Sequence, residues 1–255
     1  MSESQTSAPP DTAGEKRFAG ALSDDYPLWR LARPFLGEVH GVVSAELAKF
    51  AHDRPAPLQA VDIGMGDGAI TKLLLAEPKL TVTGLDNEPR MIAQAEKALR
   101  GAVDDGRLKI VLEDAHTFLA RLPAASVDIA ASGYVLHNLT EDYRDKVYDA
   151  IFRVLKPGGL FVNADKYAQS GQAHRDALRW QLGLFFDVLA PRQKYDLLRD
   201  WVLHYVEDEM PGRVMPEADA VARLARAGFV DETIVYRNHM DAVLVAHKPQ
   251  GERPA

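Results

Sequence analysis

Residues 61–69, Val-Asp-Ile-Gly-Met-Gly-Asp-Gly-Ala, constrain this chain more than any other stretch. Three glycines, Gly64, Gly66 and Gly68, fall at alternate positions directly after the apolar run Ala60 to Ile63. Ile70 to Leu75 then opens a helix pattern, and a second apolar run, Leu80 to Leu85, ends in Asp86. Strand, glycine turn, helix, strand, acid is the order of a mononucleotide-binding half of an open α/β sheet. Glycine has no Cβ, so the backbone can come close to a ligand. A carboxylate at Asp86 can accept both hydroxyl hydrogens of a ribose.

The alternation continues along the chain. Apolar runs predict strands at 60–63, 81–85, 108–112, 127–132 and 160–165, with helices at about 69–76, 88–101, 116–121 and 142–155. Asn87 is placed to cap the helix that has Pro89 in its first turn. Lys156-Pro157-Gly158-Gly159 is a breaker expected to end the helix before the fifth strand. Tyr26 to Phe50 has the spacing of one or two amphipathic helices, with Pro34 between them or in a first turn. After Asp165 the pattern changes to amphipathic helices at 171–189 and 192–209, carrying Trp180, Phe185, Phe186, Trp201, His204 and Tyr205. A helix at 217–227 stops at Gly228, and 229–236 with 242–247 reads as a closing antiparallel hairpin. The expected fold is α/β, a Rossmann-like seven-stranded mixed sheet over residues 18–248 that ends in that hairpin. Residues 18–50 and 167–212 would supply a helical lid. Residues 1–17, rich in Ser, Thr, Pro and Asp, and 249–255 are expected to be tails.

Composition excludes several classes of function. The chain has no cysteine, which removes disulfides, thiolate metal sites and cysteine nucleophiles. Its formal net charge of −7 argues against a broad nucleic-acid surface. No apolar run approaches the roughly 18 residues of a membrane span. The first residues lack a basic start followed by an apolar stretch, so a cytoplasmic protein with no membrane partner is expected.

Asp62, at the strand end, suits an ammonium group and repels a diphosphate. No lysine follows the last glycine at the position a nucleoside-triphosphate loop needs. With these marks the chain resembles the class I S-adenosylmethionine-dependent methyltransferases over about residues 55–247. Asp62 to Gly68 resembles the first motif of that family, Leu85-Asp86 the second and Glu113-Asp114-Ala115 the third. Val127 to Gly133 with Leu136-His137-Asn138-Leu139 resembles the fourth, and Arg153 to Leu160 the helix and turn before the fifth strand. The resemblance implies S-adenosyl-L-methionine as cofactor, held by Asp62, Gly64, Gly66, Gly68, Asp86, Asn87, Met91, Asp114, Ala115, Ser132 and Gly133. It implies no metal. A sulfonium ligand without phosphate is what an acid-flanked glycine loop would need.

The acceptor side is expected near Tyr134, His137 and Tyr167, at the carboxyl ends of the fourth and fifth strands. A plainer use of His137 is packing at a helix start, and of His204 and Tyr205 core packing. The expected acceptor is a small molecule, and the aromatic extra helices make a homodimer conceivable. Asp25-Tyr26-Pro27-Leu28, Arg33-Pro34 and Met215-Pro216-Glu217 are similar to the carboxy-S-adenosylmethionine synthases of tRNA modification. That branch has an Asn after the fourth strand where this chain has Gly133. Three alternatives stand beside small-molecule methyl transfer. They are that synthase activity or a tRNA methyltransferase, an NAD-dependent oxidoreductase (Gly64 to Ala69 also fits the looser dinucleotide pattern), and a non-catalytic cofactor-binding protein.

Overall fold

The computed structural model describes residues 26–251. The tail expected at 1–17, the stretch 18–25 of the expected lid and the last four residues lie outside the described residues. Seven strands form one sheet: β1 (Leu58–Ile63), β2 (Leu80–Asp86), β3 (Leu108–Leu112), β4 (Val127–Gly133), β5 (Leu155–Lys166), β6 (Val230–Asn238) and β7 (Asp241–His247). Their spatial order is β3-β2-β1-β4-β5-β7-β6. The first five run parallel, and β7 lies antiparallel between β5 and β6. The expected mixed sheet and closing hairpin are therefore present. Strand order reverses between β1 and β4, which opens a crevice at their carboxyl ends.

Helices cover both faces, which is why the central strands are apolar throughout rather than alternating. On one face α2 (Leu36–Ala51), α3 (Ala69–Ala76) and α4 (Pro89–Ala98) bring Val39, Val43, Leu47, Leu74 and Ile92 onto Ile129, Leu160, Val162 and Val243. On the other, α6 (Ala115–Arg121), α7 (Glu141–Val154) and α10 (Glu217–Ala227) pack Phe118, Leu119, Val147, Ile151 and Leu224 onto Val61, Phe161 and Leu244. Each such side chain contributes about 1.5–3 kcal/mol when fully buried. A third cluster stands apart from the two sheet faces. It joins Trp29 of α1 (Tyr26–Leu31), Phe185 of α8 (Gly171–Leu189), and Leu197, Trp201 and Tyr205 of α9 (Tyr195–Glu207). Pro34 separates α1 from α2. Among the described residues no helix is long and apolar enough to cross a membrane.

The structure corrects four local expectations. Glu88, not Asn87, caps α4, its side chain accepting from Arg90 N. Asp86 causes the shift, because its Oδ1 accepts from Glu88 N at 2.9 Å and draws that residue to the helix entrance. The helix expected at 88–101 breaks at Leu99 into α4 and α5 (Arg100–Asp104), where Leu99 turns in against Gly68. The breaker at 156–159 lies inside β5 as a bulge, since Leu155 pairs with Val127 and Leu160 with Ile129. Asp128 anchors it, accepting from Lys156 Nζ and Gln59 N at 2.8 Å each. Finally, α9 starts at Tyr195 rather than 192. A tight 3₁₀ turn with Pro191 and a left-handed Gln193 (φ 55°) comes first.

Candidate active site

A cleft opens at the carboxyl ends of β1, β2 and β4. Its floor is the glycine loop. Gly64 has φ +66°, and a Cβ there would lie 2.4 Å from Val135 Cγ2, so only glycine fits. Asp86 holds the loop, its Oδ2 accepting from Gly66 N at 2.9 Å. Desolvation, the largest influence, raises the Asp86 pKa, while hydrogen bonds from the Glu88, Gly66 and Asn87 backbones oppose it. Four carboxylates line the cleft, those of Asp86, Glu88, Glu113 and Asp208. Arg33 is the only Lys or Arg among the described residues that line the cleft. It is ion-paired with buried Asp241, and its guanidinium lies 4.6 Å from the Trp29 ring centre and 4.8 Å from that of Tyr134. Glu113 is ion-paired with Arg121 and Asp208 with Lys166, so Asp86 and Glu88 are the lining carboxylates that favour a cationic ligand and disfavour a diphosphate.

The roof is aromatic. Trp29 meets Tyr134 edge-on with ring centres 5.1 Å apart, and Trp201 lies 5.9 Å from Phe185. Beneath them is a polar patch. His137 Nδ1 lies 2.5 Å from Asp165 Oδ1, and Asp165 Oδ2 accepts from Leu136 N at 2.9 Å. The opposite ring nitrogen, Nε2, lies 3.8 Å from Asp208. His137, His204 and Asp208 bring atoms able to ligate a metal within 4.8 Å of one another. Lys166 Nζ, however, donates to Asp208 Oδ2 at 2.9 Å. An ammonium already neutralises the one carboxylate of the trio, so the patch reads as an acid–base surface rather than a metal cradle.

Comparison with known proteins agrees with this geometry. The family model described as a methyltransferase domain matches residues 61–163. A demethylmenaquinone methyltransferase of Leptospira interrogans is 31% identical over 141 residues, 55% of this chain and 54% of that one. The Haemonchus contortus phosphoethanolamine N-methyltransferase 2, solved with S-adenosylhomocysteine, superposes with a TM-score of 0.55 at 15% identity. The match covers 82% of this chain and 53% of that one.

Residues 61–163 thus match a methyltransferase domain, on a fold that solved S-adenosylmethionine-dependent methyltransferases share.

A carboxy-S-adenosyl-L-methionine synthase of Actinobacillus succinogenes is also similar, 26% identical over 43% of this chain and 45% of the synthase. The chain spans about half the length of these curated relatives.

Of the residues expected to bind cofactor or acceptor, the fold gathers Gly64, Gly66, Asp86, Asn87, Met91, Ala115, Gly133, Tyr134 and His137 around the cleft. Five are placed elsewhere. Asp114 caps α6, accepting from Thr117 N, and also accepts from the Tyr143 hydroxyl, while its neighbour Glu113 lines the cleft. Ser132 is buried and donates to Ile63 O. Gly68 begins α3 against Leu99. Tyr167 is buried in the second sheet-face core, its hydroxyl accepting from Asn163 Nδ2. Asp62 is wholly buried below the loop. The reading of the sequence missed Trp29, Arg33 and Asp208 as lining residues. His204 on α9 and Asp208 at the cap of its C-terminal end, four apart, carried a usable signal, since i and i+4 share a helix face. Phe185 and Trp201, weighed as a dimer surface, are buried, whereas Phe186 is 52% exposed.

Asp62 carries a stability prediction. Its Oδ2 accepts from the Thr71 hydroxyl at 2.5 Å, and its Oδ1 has no hydrogen-bond partner. Burial pushes its pKa up to about 7. The folded state therefore holds a proton that the unfolded state gives up near pH 4, and stability falls as pH rises from there toward 7. Asp62→Asn is expected to stabilise the ligand-free protein at about pH 8 by on the order of 2–4 kcal/mol, the gain vanishing near pH 4. Denaturant midpoints at several pH values measure this. A loss of stability of equal size across that range would contradict it.

Proposed function

We propose that the chain transfers a methyl group from S-adenosylmethionine to a small molecule held under α1, α8 and α9. One observation carries this reading: a glycine-floored cleft at the sheet's switch point is lined by Asp86 and Glu88, while the Arg33 that also lines it is already paired with Asp241. S-adenosylmethionine, when bound there, supplies an electrophilic methyl on a sulfonium sulfur. Asp86 would hold the ribose hydroxyls, because a carboxylate with two backbone donors still has lone pairs to offer. Met91 and Ala115, also on the cleft wall, would flank the adenine.

His137 is the proposed base. With Nδ1–H donating to Asp165, the ring would present Nε2 to the acceptor. The Leu136 N–H fixes that carboxylate, so the ring is held rather than free to turn. Tyr134, left-handed at φ 57°, sits beside it on the cleft wall. Tyr167, buried in the core, is left a supporting role. The cluster of α1, α8 and α9 would act as the lid, excluding water and aligning the acceptor.

Calorimetry tests the cofactor. S-adenosylmethionine and S-adenosylhomocysteine are expected to bind, and NADH is not. NADH binding in their place would restore the oxidoreductase alternative. That alternative also needs a second parallel nucleotide half, whereas the sheet closes with an antiparallel hairpin after β5. Binding of both sulfur compounds with no turnover on any acceptor would favour the non-catalytic alternative.

A further inference from the structure

Resting on this methyl-transfer reading, we infer that the acceptor is an uncharged, planar aromatic molecule bearing a hydroxyl, and that the pocket selects against carboxylates and phosphates. Shape supplies the first argument. Trp29, Tyr134, Phe185, Trp201 and Tyr205 all face the cleft, so the acceptor end is walled by rings. Trp29 and Trp201 are tilted only 30° to one another, and Phe185 and Trp201 only 29°. Flat, rigid apolar walls favour a flat apolar guest and give little to a flexible polar one.

Charge supplies the second argument. An anionic acceptor buried here needs a cation to replace its water. Arg33 faces the cleft, but its guanidinium is paired with Asp241, and the side chains of both are only 4% exposed. Lys166 lies just behind the wall, where its ammonium is paired with Asp208 and rests 3.7 Å from the Tyr205 ring centre. Among the described residues, each of these two cations thus has a carboxylate of its own. An added anion would have to compete with these buried pairs for their cations. An ammonium acceptor fares no better, because Lys166 has already neutralised that carboxylate.

The third argument is the polar patch under the aromatic roof. His137 Nε2 and His204 are neighbours there, and the His204 ring meets Trp201 edge-on at 5.6 Å. One small polar patch amid aromatic walls suits a hydroxyl on a ring. The hydroxyl proton would pass to His137 Nε2, leaving the oxygen, or a ring carbon conjugated with it, as nucleophile.

Three compounds that share one ring and differ in charge test this: 2-naphthol, 2-naphthoate and 2-naphthylmethylamine. Each is titrated by calorimetry, near neutral pH, into full-length protein saturated with S-adenosylhomocysteine. The neutral naphthol is expected to bind at least about tenfold more tightly than either charged analogue. Asp241→Asn, nearly isosteric, should release Arg33 and shift preference toward naphthoate, a gain that general damage does not produce. Equal binding of the three, tighter binding of naphthoate or the amine to the wild-type protein, or binding of none would overturn this inference alone. Failure of S-adenosylhomocysteine itself to bind would overturn the functional reading, and this inference with it.

Discussion

Replacing His137 with alanine is expected to lower kcat by about 10²–10⁴-fold, the usual contribution of a positioned general base. The ring is gripped on one side by Asp165 at 2.5 Å and opens on the other toward the cleft. Removing it takes away the proton acceptor and leaves Asp165 as a buried carboxylate with only the Leu136 N–H, Lys166 N and Asn163 Nδ2 as donors. Two controls separate chemistry from collapse. S-adenosylhomocysteine affinity should be unchanged, because the cofactor end is built from other residues. Asp165→Asn should also slow turnover, by favouring the wrong imidazole tautomer, and should alter the pH–rate profile. Single-turnover formation of S-adenosylhomocysteine measures both variants. A His137→Ala enzyme within about threefold of wild type would show that the acceptor arrives already ionised, with no base required.

Asp86→Ala is expected to weaken S-adenosylmethionine binding by about 1–3 kcal/mol through the lost charged hydrogen bonds to the ligand. A second effect comes from the fold. Asp86 accepts from Gly66 N and Glu88 N, so its loss leaves two backbone donors without their partner and frees the loop and the α4 entrance. Thermal stability should therefore fall together with affinity. Asp86→Asn separates the two effects, since it keeps an oxygen for the backbone but no charge. The pH dependence has a definite sign. Burial raises the Asp86 pKa, so the ionised form that binds hydroxyl donors best is lost earlier on acidification than at an ordinary aspartate. Affinity in the wild type should fall as pH drops through that raised pKa, and Asp86→Ala should show a flatter profile. An Asp86→Ala protein that binds S-adenosylmethionine as tightly as wild type would remove Asp86 from the site.

Much of this arrangement was legible along the chain, and the legible parts share a cause. The expected limits of β3 at 108–112, α3 at 69–76, α8 at 171–189 and α10 at 217–227 agree with the structure. Those elements are bounded by turn chemistry or by a clear change of hydrophobic period, and both are properties of neighbouring residues. Expectations went astray where a specific contact, near or far along the chain, competed with a local signal. Asp86 moved the cap from Asn87 to Glu88, and the partner strand β4 drew Lys156 to Gly159 into β5 as a bulge. The cofactor end of the cleft could be anticipated because Gly64, Gly66 and Asp86 lie on two consecutive strands and their turns. The acceptor end could not, because its parts come from α1, the end of β4, α8 and α9.

By itself the sequence determined the order of strands and helices, the glycine floor, the acid on β2 and the absence of cysteine chemistry. These depend on local conformational preference and on burial periodicity, which neighbours along the chain dictate. Tertiary structure alone decided which charges are already neutralised. Arg33 meets Asp241 across 208 positions and His137 meets Asp165 across 28, while Lys166 reaches Asp208 across 42. A charged side chain is costly in the interior unless paired, and the partner is whichever opposite group the packed helices and strands bring within reach. Long-range packing, not local pattern, therefore set the electrostatics of the acceptor pocket.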